Sequence, residues 1–344
     1  MSNYAISSVS WGFRCRRWAL WLLVMVTLPS LASASSAAGD DAEAWLSRLG
    51  PALNMTTYRG VFVYSRGDQV SSMRIAHRYR DGQVEERLVQ QDGASGEIVR
   101  KGTQVVCVLP DHGRVKLDQV TPSGPFADTF ASQRVLTRDW YQPQLLGEDR
   151  VAGYSAKVVG LNARDGDRYS YRLWLEKDTG LLLKSHVRGQ DGSVLESFQF
   201  TDLEITDSLP DSEFEIQLDG QEIRQRVPPA TAGEAPPPRM DGWYLGWRPD
   251  GFLPAAAPVS GDGQAVAFSD GLAAFSVFVE PAGRLDMPTG ASRIGATTAY
   301  MRPLEAGEQA FLVTVIGEIP PQTAMKVAES VAVQDAGAFG AAAP

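Results

Sequence analysis

Five turn signals punctuate the chain between Thr57 and Thr206: Asp81-Gly82, Asp92-Gly93, Asp165-Gly166, Asp178-Thr179-Gly180 and Asp191-Gly192. Each lies between runs of alternating apolar and polar residues. Tight hairpin turns need positive φ, which Gly adopts freely and Asp tolerates, so an Asp-Gly pair flanked by alternation marks a hairpin. Such a chain folds as an antiparallel meander and not as βαβ units, whose crossovers take a dozen or more residues. The alternation is legible strand by strand. Met73, Ile75, His77 and Tyr79 share one face, and Arg74, Arg78 and Arg80 the other. Tyr169, Tyr171, Leu173 and Leu175 oppose Arg168, Ser170, Arg172 and Glu176. Val194, Phe198 and Phe200 share a face with Glu196. A sheet with one apolar side must cover it, by curling into a barrel, taking a helix or holding a ligand.

The first 34 residues stand outside this pattern. Arg14, Arg16 and Arg17 precede an apolar run, Trp18 to Leu28, and Ala32-Ser33-Ala34 follows as a small-x-small cleavage site. This is the secretory signal pattern, with a run short of the roughly 20 residues that span a bilayer. The other reading is a short N-terminal anchor. Cys15 precedes the apolar run, so the cysteine that a lipoprotein carries just after it is missing. The expected mature protein is secreted and soluble. The whole chain has a formal charge of −9; the leader holds three Arg and no acid, so 29 bases against 41 acids remain, or −12. That balance excludes non-specific nucleic-acid binding. Cys107, within Val105–Leu109, is the only cysteine left and reads as a buried strand residue, because free Cys packs as a small hydrophobe. No metal site and no cofactor are expected.

The mature chain reads as two units. A short amphipathic helix over 42–49 ends near Gly50-Pro51 and leads into the meander of a first domain, 35–219. Within it the period breaks between Thr121 and Leu146, where Phe126, Phe130, Trp140 and Tyr141 stand among Pro and Gly, as expected of a long ordered loop over the sheet or its mouth. Residues 220–239 hold five prolines and read as a semi-rigid joint. A smaller α+β unit follows over 240–333, with a hairpin about Asp270-Gly271, a strand over Ala310–Ile316 and a helix opened by Pro320-Pro321; 334–344 read as a frayed tail.

The nucleophile-elbow, zinc-protease, P-loop, CxxC and dinucleotide fingerprints are all absent. Paired carboxylates such as Glu85-Glu86 are neighbours on a strand and point to opposite faces. Arg74, Arg78 and Arg80 form either a solvated outer face or an anion-binding stripe. Trp243, Tyr244, Trp247 and Phe252, in GWYLGWRPDGFLP, are either core or the anchors of a partner interface.

These residues resemble the MucB/RseB family. The strings that carry the resemblance are Thr57–Tyr64, Val151–Tyr154, Tyr169–Leu175 with Thr179–Lys184, and the W-x-x-x-W-x-P-x-G-F pattern of Trp243–Phe252. The resemblance spans nearly all the mature chain. It implies an α+β, mainly antiparallel fold: an unclosed β-barrel like that of the lipoprotein carriers LolA and LolB, with covering helices, plus a small C-terminal α+β domain. It implies a negative regulator of the extracytoplasmic stress sigma factor. Such a protein binds the periplasmic part of a membrane-bound anti-sigma factor (MucA or RseA) and hides it from the site-1 protease. Lipopolysaccharide or mislocalised lipoprotein would release it. Homo-oligomers are implied, and no cofactor. Met73, Ile75, Tyr79, Tyr169, Tyr171 and Leu173 would then line an acyl-chain site, with Phe126, Phe130, Trp140 and Tyr141 as its lid. A filled, ligand-free core is the other reading of the same face. A lipid or lipoprotein carrier is the alternative function, and an unrecognised envelope hydrolase the second alternative.

Overall fold

The computed structural model describes residues 34–93, 95–109, 139–226, 240, 242–255, 264–282, 289–307 and 309–334. A helix, α1 (Ala34–Met55), opens them. The strands of the first sheet are β1 (Tyr58–Arg66), β2 (Gln69–Arg80), β3 (Gln83–Gln90), β4 (Glu97–Lys101), β5 (Gln104–Leu109), β6 (Tyr141–Val151), β7 (Tyr154–Ala163), β8 (Ser170–Glu176), β9 (Leu182–Arg188), β10 (Val194–Ile205) and β11 (Gln221–Arg226). Their spatial order is β11-β5-β4-β3-β2-β1-β10-β9-β8-β7-β6, antiparallel throughout and unclosed. All five turn signals fall between consecutive strands. At the β2–β3 hairpin Asp81 and Gly82 have φ of 54° and 78°, the conformation that the pair was read for.

Two expectations change here. Tyr141–Leu146 is not loop: it begins β6, the outermost strand. Pro143 disguised it, yet a proline is tolerated on an edge strand, where no neighbour needs its N–H. Residues 221–226, read as the start of the joint, form the other edge strand and pair with β5. The remainder of the joint up to 239, the leader through residue 33, the tail beyond 334, and Phe126 and Phe130 lie outside the described residues.

The apolar face of the sheet is covered by α1, whose Ala42, Leu46 and Leu49 join Tyr58, Phe62, Ile75, Leu88, Leu173, Phe198 and Phe200 in one core. The helix runs past Gly50-Pro51, and the Asn54 side chain donates to the Gly50 carbonyl at 2.8 Å. The opposite face is not fully wet. A 3-10 turn, Asp211–Phe214, folds back across it, and Leu209 and Phe214 pack on Ala76. Behind it Glu97, fully buried, accepts from the Arg87 guanidinium and from the backbone N–H groups of Gln217 (3.0 Å) and Leu218 (2.8 Å).

The second domain has strands β12 (Trp243–Leu245), β13 (Leu253–Ala255), β14 (Gln264–Ser269), β15 (Ala274–Pro281), β16 (Gly290–Ile294), β17 (Thr297–Ala306), β18 (Gln309–Gly317) and β19 (Val331–Val333), with helix α2 (Pro321–Glu329). Six of the strands form a sheet in the order β13-β14-β15-β18-β17-β16, and β12 pairs with β19. The core contains Trp243, Phe252, Phe268, Phe275, Phe311 and Val313, closed by Ala324, Val327 and Ala328 of α2.

Glu97→Ala leaves the Arg87 charge buried without its partner, which costs about 3–5 kcal/mol. A urea melt of this variant is expected to show a lowered midpoint. The double change Arg87→Met with Glu97→Leu is expected to recover most of it, since a packed apolar pair replaces a buried ion pair at little cost.

Candidate functional site

Three of the residues that sequence patterning assigned to a lipid site, Trp140, Tyr141 and Tyr169, stand at the seam between the two domains. Arg168, just before β8, is fully buried. Its Nη1 donates to Asp270 Oδ2 of the second domain at 2.6 Å, and both side chains are completely inaccessible. Its Nη2 donates to the Asp250 carbonyl at 2.6 Å, and its Nε holds Asp165 of its own domain at 3.1 Å. Asp270 is saturated: it also accepts from Tyr141 Oη (2.9 Å) and from the N–H groups of Leu272 (2.9 Å) and Ala273 (2.8 Å). The guanidinium carbon lies 5.1 Å from the ring centre of Trp140, 5.6 Å from Tyr141 and 5.1 Å from Phe252. Gly251 makes this closure possible: its φ is +83°, and a Cβ there would sit 2.2 Å from Trp140 Nε1.

A second joint lies beside it. Glu196, the acid on the apolar face of β10, is buried and accepts from Ala296 N–H of the second domain at 3.0 Å, from Tyr64 Oη, and from Arg66 at 3.2 Å. Tyr169 Oη donates to the Ile319 carbonyl at 3.3 Å, which Thr298 Oγ1 also reaches at 2.6 Å. Leu272 and Ala296 of the second domain are buried within the core of the first. Burial and the nearby Glu196 charge push the Glu318 carboxyl up to about 7, against a smaller opposing pull from Arg66. The Tyr141 hydroxyl is pushed well above its ordinary range, chiefly by burial.

The other predicted site residues are distributed as follows. Ile75, Tyr171 and Leu173 are core, and Met73 is half-buried against it. Tyr79 is 42% exposed, contrary to the alternation: it pairs with Val84 next to the hairpin turn, beyond the cover of α1. Trp243 and Phe252 resolve as core of the second domain. Trp247 is half-buried under the Lys326 ammonium, 4.2 Å from the ring centre, and Tyr244 is 44% exposed. Arg74 is exposed. Arg78 is not on a solvated face: the 3-10 turn buries it, paired with Glu85 and Asp211 and 4.2 Å from the Phe214 ring centre. Arg80 pairs with Asp211 at 2.7 Å. Two seam residues, Asp270 and Glu318, were missed. Arg168 and Glu196 carried a readable signal, a charge at the mouth or on the apolar face of a strand. Among the described residues no group of three or more His, Cys, Asp or Glu is placed to hold a metal ion.

Residues 41–218 match the MucB/RseB N-terminal domain and residues 237–332 the MucB/RseB C-terminal domain. The chain belongs to the MucB/RseB family. It is 36% identical over 325 residues to the sigma factor AlgU regulatory protein MucB of Pseudomonas aeruginosa, covering 90% of this chain and 96% of that one. To the sigma-E factor regulatory protein RseB of Escherichia coli it is 26% identical, covering 91% and 97%. Among solved structures of this family, the P. aeruginosa MucA/MucB complex matches at a TM-score of 0.71 with 32% identity, covering 86% of this chain and 100% of that one. MucB solved by itself matches at 0.61 with 32% identity, covering 85% and 98%.

Two predictions follow from the seam. Arg168→Ala strands the Asp270 charge in a dry interface, a loss of about 3–5 kcal/mol. Calorimetry is expected to resolve two unfolding transitions where the wild type shows one. The second concerns pH. An acid whose value rises from an ordinary 4.5 to about 7 in the closed seam disfavours closure once ionised. Closure therefore weakens as pH rises from about 4.5 to about 7 and levels off above it. Glu318→Gln is expected to flatten this slope in melting temperature and to raise stability at pH 8.

Proposed function

We propose that this protein is a periplasmic negative regulator of an extracytoplasmic stress sigma factor. It binds the periplasmic part of a membrane-bound anti-sigma factor of the MucA/RseA type and shields it from the site-1 protease; an amphipathic lipid such as lipopolysaccharide or a lipoprotein acyl chain releases it. The observation that carries this reading is likeness to MucB over both domains, including MucB solved with MucA. The arrangement of the domains supports it, since the overlap is greater with the two complexed structures (0.71 and 0.68) than with MucB alone (0.61). Secretion rests on the leader; among the described residues no helix is long and apolar enough to cross a membrane.

The seam gives the lipid step a physical form. Trp140, Tyr141, Tyr169 and Tyr171 lie at or beside it, so acyl chains that gain apolar contact there do so by parting the domains. A ligand shifts an equilibrium only by its different affinity for the two states. Lipid therefore favours the open state and the anti-sigma segment the closed one. A carrier reading requires an open apolar face, and here α1 and the sheet's own side chains occupy it. The homo-oligomer belongs to this proposal as well.

The deciding experiment is a pull-down of the mature protein, from residue 35, with the periplasmic segment of the cognate anti-sigma factor, followed by challenge with site-1 protease. Binding, protection, and loss of both on adding lipopolysaccharide are expected. No binding with or without lipid overturns the proposal.

A further inference from the structure

The stripe of Arg74, Arg78 and Arg80 is largely neutralised by acids, but another row of cations is not. On β8 and β9 the register sets Arg172 opposite His186, Trp174 opposite Lys184, and Ser170 opposite Arg188. Alternate residues share a face, so these six lie together on the side away from α1. The flanking strands add no acid to this row: β10 places Ser197 and Gln199 beside His186 and Lys184, and β7 places Gly160 and Val158 beside Arg172 and Trp174. Asp149 of β6 accepts from Arg150 N–H and Trp174 Nε1, each at 2.8 Å, and these bonds, with a smaller pull from the Lys184 charge, hold its carboxyl below the ordinary range.

Among the described residues no carboxylate pairs with Arg172, Lys184 or Arg188. Arg59, Arg78, Arg80, Arg87 and Arg168 all have such partners. Arg172 Nε is enclosed and has no hydrogen-bond partner. Lys184 Nζ is steered over the Trp174 ring, 4.8 Å from its centre, and the His186 ring packs edge-on against the same indole at 4.8 Å. Burial, with the charges of Lys184, Arg172 and Arg188, pulls the His186 ring down to about 4, so it is neutral at physiological pH. Three half-buried cations in one row, Lys184 over the Trp174 ring with Arg172 and Arg188 further along, in a chain of net charge −9 before the leader is removed, form a local positive field that steers an anion.

We propose that the outer face of β8–β9 docks an extended acidic peptide segment of a protein partner. The spacing favours a peptide. Lys184, His186 and Arg188 are alternate residues of β9, so its two charged side chains stand roughly 14 Å apart along one face, a spacing that an extended chain matches with side chains four positions apart. Carboxylates four positions apart on such a chain meet Lys184 and Arg188, with the Arg172 charge beside the neutral His186 between them. A phosphate needs donors converging on one point, and these stand in a row. The inference rests on the protein being a protein-binding regulator but not on which partner it guards.

The test uses the full mature protein and a fluorescein-labelled octaglutamate peptide, read by anisotropy at low and high salt. Expected are binding that weakens with salt and at least a tenfold loss in K184Q/R188Q, with an unchanged urea midpoint. R74Q, at an exposed arginine on β2, is expected to bind as wild type. Equal binding by K184Q/R188Q overturns the proposal. So does capture of phosphatidylglycerol vesicles or inorganic phosphate through Lys184 and Arg188 with no capture of the peptide. Because the readout is octaglutamate and not the anti-sigma segment, this inference and the proposed function fail separately.

Discussion

One ion pair, Arg168 with Asp270, is buried across the seam between the two domains, and its neighbours there keep both charges satisfied. A buried charge is tolerated only when paired and fully hydrogen-bonded. Arg168 meets that condition with Asp270, the Asp250 carbonyl and Asp165; Asp270 meets it with Arg168, Tyr141 and two backbone N–H groups. Such a pair adds little net stability over an apolar contact of the same shape. Its value is specificity: it is satisfied in one relative placement of the domains and leaves bare charges in any other. Gly251 and Gly295 serve the same end, since a Cβ at either would strike the first domain, at Trp140 in one case and at Arg66 and Glu196 in the other.

The meander was legible because its information is local. Asp-Gly turns and a two-residue alternation fix hairpins between neighbours in sequence, and the structure has a strand boundary at every such pair. The second-domain hairpin and the Pro-led helix were legible for the same reason. The seam was not, because Arg168 and Asp270 are 102 residues apart and nothing local announces their pairing. Tyr141 shows the cost: with Pro143 two residues on, its strand looked like a loop, and its ring like a lid. Glu196 was the visible clue. An acid among Val194, Phe198 and Phe200 is too costly on a plain apolar face, so it had to meet a donor from elsewhere, which is Ala296 N–H.

The seam gives the proposed switch its place. In that proposal the preference between open and closed states would come from contacts that exist when the domains are closed and vanish when they part, and these are the seam's buried charges and aromatic rings. A lipid acting there and a protein partner spanning both domains would compete through one equilibrium. The acidic balance of the chain makes long-range attraction to anionic lipid unfavourable, so such a lipid would be recognised at short range by apolar burial, while the proposed role of the β8–β9 cations is with a different ligand on the opposite face.

The most direct test of the central claim is the distribution of distances between the two domains, by electron spin resonance of labels at Asp202 and Tyr244, both exposed. The account predicts one narrow distribution in the mature protein, and a broad one when Arg168 is replaced by Ala. A broad distribution in the unmodified protein, unchanged by that replacement, would contradict it.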